Sequence, residues 1–240
     1  MKRYFEIFAA LFLGTTMMFS CQQAEEPTMD QGTVPQTRAY GDTPVVAIYV
    51  ETNDTNPLNA GDYMLSNGKP FAGIVELFAS NIHKRTVNGV VEPTLFLNDK
   101  MTNLLENGGY QTYVKPLQDK GIKVLLTVLG DWQGIGVANM NDTQTTQFAK
   151  ILAHAVEKYG LDGIGFDDEY ADYSTPIDPT SASKLVLKLR EKFNAEFPGE
   201  RKIIQMFQWN YVSNISAAAG AEIDLADHGA FGHNVFQASS

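Results

Sequence analysis

The chain has 240 residues, of which 44% are hydrophobic and 19% are charged, so it can bury a substantial core. Its net charge of −10 argues against nucleic-acid binding, because that function needs a basic surface. Cys21 is the one cysteine, which excludes a disulfide within the chain.

Residues 1–20 have the proportions of a signal peptide. Lys2 and Arg3 precede a mostly apolar run over residues 7–19, which is short for a membrane span. The segment resembles a bacterial lipoprotein signal, in which cleavage leaves the cysteine, here Cys21, lipidated at the N-terminus. The resemblance implies an anchor in the outer membrane and a location in the cell envelope, either surface-exposed or periplasmic. The alternative is an ordinary secretory signal with an incidental cysteine.

Residues 21–42 are polar, contain two prolines and show no apolar periodicity. This composition predicts a flexible tether. The folded domain is therefore predicted to occupy residues 43–240.

Strand and helix patterns alternate along this domain. Buried strands are predicted at 45–51, 71–80, 121–130, 161–170 and 202–209, with a sixth around 228–234. Asn88-Gly89 separates two short runs and predicts a hairpin. Helices are predicted within 99–120, over 143–160 with Asp142 or Thr143 as the N-cap, and over 181–197.

Hydrophobic strands separated by helices predict a parallel sheet covered on both faces. An open doubly wound sheet and a (β/α)8 TIM-type barrel both fit. The first strand is not followed by G-x-G-x-x-G, so a nucleotide-binding sheet has no support. Barrel enzymes build their sites at the C-terminal ends of several strands. The substrate-binding candidates at such ends are Glu51, Asn53, Trp132, Gln133, Gln208, Asn210 and Asn234.

The stretch LDGIGFDDEY (161–170) ends a buried strand with three consecutive acidic residues. Because strand side chains alternate, Asp167 and Glu169 share the face of Gly165, whereas Asp168 lies on the opposite face. Two carboxylates that converge on one cavity indicate acid–base chemistry, since crowding raises the pKa of one of them. The alternative is that these acids cap the next helix or bind a surface cation.

The same stretch resembles the D-G-x-D-x-D-x-E signature of family 18 glycoside hydrolases, a group that includes chitinases. VETNDTNPLNAGDYML, GIKVLLTVLGDWQGIGVANM and YGLDGIGFDDEYADY are more similar to endoglycosidase H-like endo-β-N-acetylglucosaminidases. The similarity extends from about Val46 to Asn234. The LGDWQGIG loop and the DDEYADY tail favour this branch over chitinases.

The resemblance implies a (β/α)8 barrel and substrate-assisted, retaining hydrolysis without a metal or cofactor. Glu169 is implied as general acid and base, and Asp167 as the residue that orients the substrate's 2-acetamido group. The bond cut would be the one in the N,N′-diacetylchitobiose core of N-glycans on glycoproteins. The protein is expected to act as a monomer.

Three departures from the family pattern are visible. Gly165 stands where the family has the first Asp of its D-x-D-x-E core, a carboxylate that lies behind the middle one. In the run HNVF, Asn234 matches, but Phe236 replaces a tyrosine that contacts the acetamido group. About six strands precede Ser240 where a barrel has eight, so we expect an incomplete barrel, from a fragment or a prematurely ended reading frame. These departures motivate a first alternative, a glycan-binding lipoprotein without turnover; a chitinase is the second.

Overall fold

A computed structural model describes residues 45–228. Cys21, Asn234, Phe236 and the boundaries predicted at residues 20 and 42 lie outside this range. The described part contains one seven-stranded sheet. Its strands are β1 (Ala47–Glu51), β2 (Ile74–Val87), β3 (Val90–Phe96), β4 (Lys123–Leu129), β5 (Gly163–Phe166), β6 (Ile203–Gln208) and β7 (Leu225–His228).

The helices fall between the strands. Single turns of 3₁₀ helix occupy Pro57–Gly61 and Asn210–Ser213, and a π-helical turn occupies Tyr110–Val114. The α-helices are α1 (Asp99–Leu105), α2 (Lys115–Asp119), α3 (Asp142–Lys158), α4 (Ser181–Glu196) and α5 (Ala217–Gly220). No helix within residues 45–228 is long and apolar enough to cross a membrane.

The sheet confirms the predicted parallel topology. Its order is β1-β2-β4-β5-β6-β7, with all of these neighbours parallel. β3 pairs antiparallel with the extended end of β2. Asn88 and Gly89 connect the two with φ values of 52° and 78°, and the hairpin prediction is therefore confirmed. Six parallel strands alternating with helices match part of a (β/α)8 barrel, as predicted.

The inward-facing side chains lie in tiers because strand residues alternate faces. The tier nearest the N-terminal ends of the strands is apolar and centres on Ile74, Leu125 and Ile203, which form a cluster of their own. The tier nearest the C-terminal ends surrounds an open cavity. The middle tier is mostly polar and consists of Tyr49, Glu76, Thr127, Gly165, Gln205 and Asp227.

Helices α3 and α4 cover the outer face of β5. Ile164 and Phe166 point into this layer, where they are buried in the main hydrophobic core together with Phe148 of α3 and Leu189 of α4. This confirms the prediction that the apolar positions of the strand face the helices. The glycines and the two carboxylates at the alternate positions therefore face inward.

Several predicted boundaries were wrong, among them the strand predicted over 161–170, which spans only Gly163–Phe166. The N-cap of α3 is Asn141, not Asp142 or Thr143, because its side chain and that of Gln144 form a reciprocal capping box. The second strand does not stop at residue 80 but continues into the hairpin to Val87. The last described strand is β7, which starts three residues before the run predicted around 228–234. Residues 229–234 lie outside the described range.

Candidate active site

A cavity of about 460 Å³ opens at the C-terminal ends of the parallel strands. Asp167 and Glu169 both line it, so the structure brings the two predicted catalytic carboxylates together. Glu51 joins them from the end of β1. The full lining consists of Tyr49, Glu51, Phe78, Asp167, Glu169, Tyr170 and Phe207.

Asp167 is the deeper of the two carboxylates. Its backbone N–H donates to the carbonyl of Val128 at 3.0 Å, which continues the β4–β5 pairing and fixes the side chain on the inner face. The residue is 6% exposed, whereas Glu169 is half-buried at the mouth. Burial, together with the neighbouring charges of Glu169 and Asp168, raises the pKa of Asp167 to about 7. Asp167 is thus a carboxyl that exchanges its proton near neutral pH.

Asp168 is turned away from the cavity, as the alternation predicts. Its carboxylate accepts a hydrogen bond from the Tyr173 hydroxyl and a second from the backbone N–H of Tyr211 at 3.1 Å. Burial raises the pKa of Asp168, and these two hydrogen bonds oppose that shift. Asp168 therefore fastens the loops after β5 and β6 to each other and takes no part in the cavity.

Two loops pair at the rim of the cavity. The Gly130 N–H donates to the carbonyl of Glu169 at 2.9 Å, and the Trp132 N–H donates to that of Tyr170 at 2.6 Å. A Cβ atom on Gly130 would lie 2.5 Å from Cα of Ala171, so this close approach requires glycine. Trp132 and Tyr170 both adopt positive φ, and their rings are 5.1 Å apart. The pairing holds Glu169 beside an aromatic pair.

Trp132 is 66% exposed and packs on Tyr170, which itself lines the cavity. The loop that carries it is anchored by the Asp131 carboxylate, which lies 2.7 Å from Nε2 of His83. The Gln133 amide donates to the Asp131 carbonyl at 3.2 Å. Gln133 thus supports the Trp132 loop and, within the described residues, is not part of the cavity lining.

Asn53 does not line the cavity but hydrogen-bonds to Glu51, which does. Its side-chain amide and its backbone N–H donate to Oε1 of Glu51 at 2.7 and 3.1 Å. Asn98 in turn donates to Oδ1 of Asn53 at 3.2 Å. The structure therefore places Glu51 in the cavity and Asn53 behind it.

The residues predicted after β6 lie elsewhere. Gln208 is on the outer face, in a separate cavity of about 400 Å³ next to α5, because the inward positions of β6 are Gln205 and Phe207. Its assignment to the substrate cavity needs this correction. The Asn210 side chain donates to the Asp168 carbonyl at 3.3 Å, so it braces the loop, and Asn210 is not among the residues that line the cavity.

Four lining residues were not predicted from the sequence: Tyr49, Phe78, Tyr170 and Phe207. Glu76, a charged residue that is fully buried in the middle tier below the cavity, was not predicted either. The alternation of side chains along each strand could have identified these residues. Tyr49 and Glu51 lie two positions apart on one strand face, as do Glu76 and Phe78 on the next strand.

Paired carboxylates at the end of a parallel strand are the arrangement that a (β/α)8 glycoside hydrolase needs. Comparison with known proteins finds relatives of this kind. The chain is 35% identical over 189 residues to endo-beta-N-acetylglucosaminidase F1 of Elizabethkingia meningoseptica, covering 75% of this chain and 54% of that protein. It is 34% identical over 188 residues to the endo-beta-N-acetylglucosaminidase of Flavobacterium sp. (strain SK1022), covering 76% and 57%.

A solved structure agrees with these relatives. Bacteroides thetaiotamicron EndoBT-3987 in complex with Man9GlcNAc2Asn substrate matches with a TM-score of 0.62 and 27% identity, covering 80% of this chain and 49% of that one. No family model matches the chain. The predicted resemblance is confirmed: the chain is similar in sequence to two proteins named endo-beta-N-acetylglucosaminidase and in fold to EndoBT-3987. It spans about half the length of the curated relatives it matches.

Proposed function

We propose that this chain carries the catalytic carboxylates of an endo-β-N-acetylglucosaminidase that hydrolyses the N,N′-diacetylchitobiose core of N-glycans. The observation that carries the proposal is the convergence of Asp167 and Glu169 on one cavity while Asp168 is turned away. The names of the curated relatives support the activity, and the glycan bound to EndoBT-3987 supports the substrate class.

The two carboxyl groups differ in depth, and this difference suits two roles. Glu169 lies at the mouth and can reach the glycosidic oxygen, so it acts as general acid and gives its proton to the leaving sugar. The acetamido oxygen of the substrate attacks C1 and forms a cyclic oxazoline-type intermediate. Glu169 then takes a proton from water, and the water oxygen adds to C1 from the face that the leaving sugar vacated while the bond between C1 and the acetamido oxygen breaks and the acetamido group is restored. Configuration is retained, and Glu169 recovers its proton.

Asp167 lies deeper, where the acetamido group would be held. Its ionised carboxylate accepts a hydrogen bond from the acetamido N–H and stabilises the positive charge that develops on the ring of the intermediate. Because the pKa of Asp167 lies near 7 in the free protein, both protonation states are accessible at neutral pH. The positive intermediate favours the ionised state at the moment when it is needed.

The cavity walls suit a sugar. Phe78 and Phe207 line it, and Tyr170 continues at its rim toward Trp132. Sugar rings present apolar C–H faces that pack on aromatic side chains, whereas their hydroxyls need polar partners such as Glu51. This mixture favours a carbohydrate over a wholly apolar ligand.

The test is cleavage of a high-mannose glycoprotein, followed by intact mass spectrometry. The wild-type chain should remove the glycan except for one N-acetylglucosamine, and Glu169→Gln should abolish this loss of mass. Glu157→Gln, which changes an exposed acid on α3, is the matched control and should cleave normally. Equal cleavage by Glu169→Gln would contradict the assignment.

Two further measurements separate the alternatives. Glycan binding in calorimetry without any product supports a glycan-binding lipoprotein that lacks turnover. Cleavage of chitin oligomers without cleavage of the glycoprotein supports a chitinase.

We further propose that Cys21 is lipidated and that the lipid anchors the protein in the outer membrane as a monomer. The sequence pattern before Cys21 supports the lipid anchor. Growth of an expressing bacterium with a labelled fatty acid should label the wild-type protein but not Cys21→Ser. Light scattering of the detergent-free Cys21→Ser form should give the monomer mass.

A further inference from the structure

The extended end of β2 contacts the Trp132 loop, which comprises residues 130–134. The register of β2 and β4 ends at Asn81 and Leu129. Beyond this point side chains continue the connection. The Asn81 amide donates to the carbonyl of Gly130 at 3.0 Å, and Nε2 of His83 lies 2.7 Å from Oδ2 of Asp131. Two side chains on one face of β2 therefore hold the start of the loop.

His83 is held in the orientation that this contact needs. Its ring stacks on Phe96 of β3, with centroids 4.1 Å apart and planes inclined by 7°. An ionised carboxylate only accepts hydrogen bonds, so Nε2 of His83 carries the proton and donates it to Asp131. The two side chains are 23% and 32% exposed, so water competes only partly for this charge-assisted bond. Asp131 is thus fastened to a ring whose orientation is fixed.

The opposite side of the Trp132 loop holds the segment that carries Glu169. The Gly130 N–H donates to the carbonyl of Glu169 at 2.9 Å, and the Trp132 N–H donates to that of Tyr170 at 2.6 Å. Asp131 lies between the two donating residues in the chain. β5 ends at Phe166, so Glu169 lies beyond the strand and needs another support. The Trp132 loop supplies that support.

We propose that His83 is a positioning residue for Glu169 and that it acts through Asp131. The hydrogen bond from His83 fixes Asp131, and the neighbours of Asp131 fix the backbone of Glu169. His83 itself, within the described part of the chain, does not line the cavity. The proposal rests on the proposed function, in which Glu169 is the general acid and base.

Loss of this support should affect the chemical step more than substrate binding. A general acid must lie within hydrogen-bond reach of the oxygen that it protonates. A misplacement of about 1 Å can cost on the order of 100-fold in rate. Loosening the Trp132 loop would displace Glu169 without removing a wall of the cavity, so kcat should fall more than KM rises.

Steady-state kinetics on a glycopeptide test this expectation. His83→Phe keeps a ring to stack on Phe96 but removes the N–H, and it should lower kcat by about tenfold or more with a smaller change in KM. Asp131→Ala should lose as much, whereas Asp131→Asn keeps an acceptor oxygen and should retain most of kcat. Arg85→Ala is the matched control, because it breaks the Arg85–Glu92 ion pair further along the same hairpin. Its kinetics should equal those of the wild type.

A double variant tests whether the two residues act through one contact. His83→Phe combined with Asp131→Ala should be no slower than Asp131→Ala alone. Losses that multiply would show that His83 and Asp131 act independently and would overturn the proposal. Urea unfolding checks that each variant is folded under the assay conditions. If His83→Phe does not fold, the comparison of Asp131→Ala with Asp131→Asn decides.

A ¹⁹F NMR experiment reads the same link without turnover. The chain has two tryptophans, so incorporation of fluorotryptophan gives two resonances, which Trp132→Phe assigns. His83→Phe should move the Trp132 resonance toward its position in the urea-unfolded chain and leave the Trp209 resonance in place. Arg85→Ala should move neither. His83→Phe should add nothing to the shift in Asp131→Ala. A Trp132 resonance that neither His83→Phe nor Asp131→Ala displaces would contradict the link.

The outcomes separate this proposal from the proposed function. Absence of cleavage by the wild-type chain contradicts the glycosidase, whereas the NMR spectra still decide whether His83 holds the Trp132 loop. A displaced Trp132 resonance with unchanged kcat in His83→Phe would show that Glu169 does not depend on this loop. That result would overturn the positioning role and leave the glycosidase intact.

Discussion

The hydroxyl of Tyr49 on β1 donates a hydrogen bond to Oδ2 of Asp227 on β7, at 2.8 Å and 178 positions further along the chain. The side-chain amide of Gln205 on β6 donates to the same carboxylate and, at 2.6 Å, to the Tyr49 hydroxyl. β1 and β7 stand at opposite ends of the strand order. The sheet is therefore curved strongly enough for polar side chains to bridge its first and last strands.

Removing the Tyr49 hydroxyl should weaken this bridge. Tyr49→Phe leaves Gln205 and Asp227 with one partner fewer in a partly exposed setting, which costs about 0.5–1.5 kcal/mol of unfolding free energy. Urea unfolding measures the loss. Tyr63→Phe is the matched control, because that ring is 66% exposed, and it should change stability little. Equal stability of the two variants would show that the bridge contributes nothing.

The buried carboxyl of Glu76 should make the protein less stable as the pH rises. Its pKa is about 8 in the folded protein and 4.5 as the ordinary value. Below pH 4.5 Glu76 is protonated in both the folded and the unfolded protein, so its ionisation does not change the stability. Between the two values only the unfolded state ionises, so stability falls by up to about 1.4 kcal/mol per pH unit. Above the folded value the loss is complete.

Glu76→Gln isolates this contribution. Glutamine keeps the shape and has no titratable proton, whereas Asp167, whose pKa is also raised by burial, stays in both proteins. The unfolding free energy of the variant relative to wild type should rise by several kcal/mol between about pH 5 and about pH 8. Parallel pH curves for the two proteins would show that Glu76 does not hold its proton in the folded state.

Replacing Asp by Asn should mainly lower kcat at Asp167 and mainly lower stability at Asp168. Asp167→Asn should lower kcat on the order of 100-fold with little loss of stability, since it removes a charge aimed at the transition state. Asp168→Asn should cost about 1–3 kcal/mol of stability, because the amide cannot accept from both Tyr173 and the Tyr211 N–H as the carboxylate does. Its kcat should fall much less.

Glycopeptide kinetics and urea unfolding of both variants measure these effects. Each variant serves as the control for the other. A larger kcat loss in Asp168→Asn than in Asp167→Asn would reverse the assignment of the two acids.

The alternation of side chains predicts the part of the site that follows β5. Alternation alone separated Asp167 and Glu169 from Asp168, and the structure confirms that separation. The same rule, applied to β6, would have placed Phe207 inward and Gln208 outward. Gln208 lies at a strand end, but its position in the alternation turns it to the outer face.

Glu76 could not have been found in this way. Its partner Gly165 is on β5, and β4 lies between the two strands in the sheet. Their contact exists because the sheet curves and brings side chains of non-neighbouring strands together in the interior. A strand pattern gives the face of a residue but not what lies across the barrel from it. The sequence alone shows only that Gly165 stands where the family has an aspartate.

Trp132 gives the last prediction, which concerns binding. Its ring is 66% exposed and is held beside Tyr170 by a backbone hydrogen bond of 2.6 Å between the two residues. If a sugar of the glycan packs on this pair, Trp132→Ala should raise KM about 2- to 10-fold, the equivalent of about 0.5–1.5 kcal/mol of aromatic contact. kcat should stay nearly constant, because Trp132 packs on Tyr170 and does not itself line the cavity that holds the two carboxylates. Trp209→Ala, which alters the other tryptophan, is the comparison and should raise KM less. A fall in kcat at unchanged KM would instead mean that Trp132 positions the Glu169 loop for catalysis.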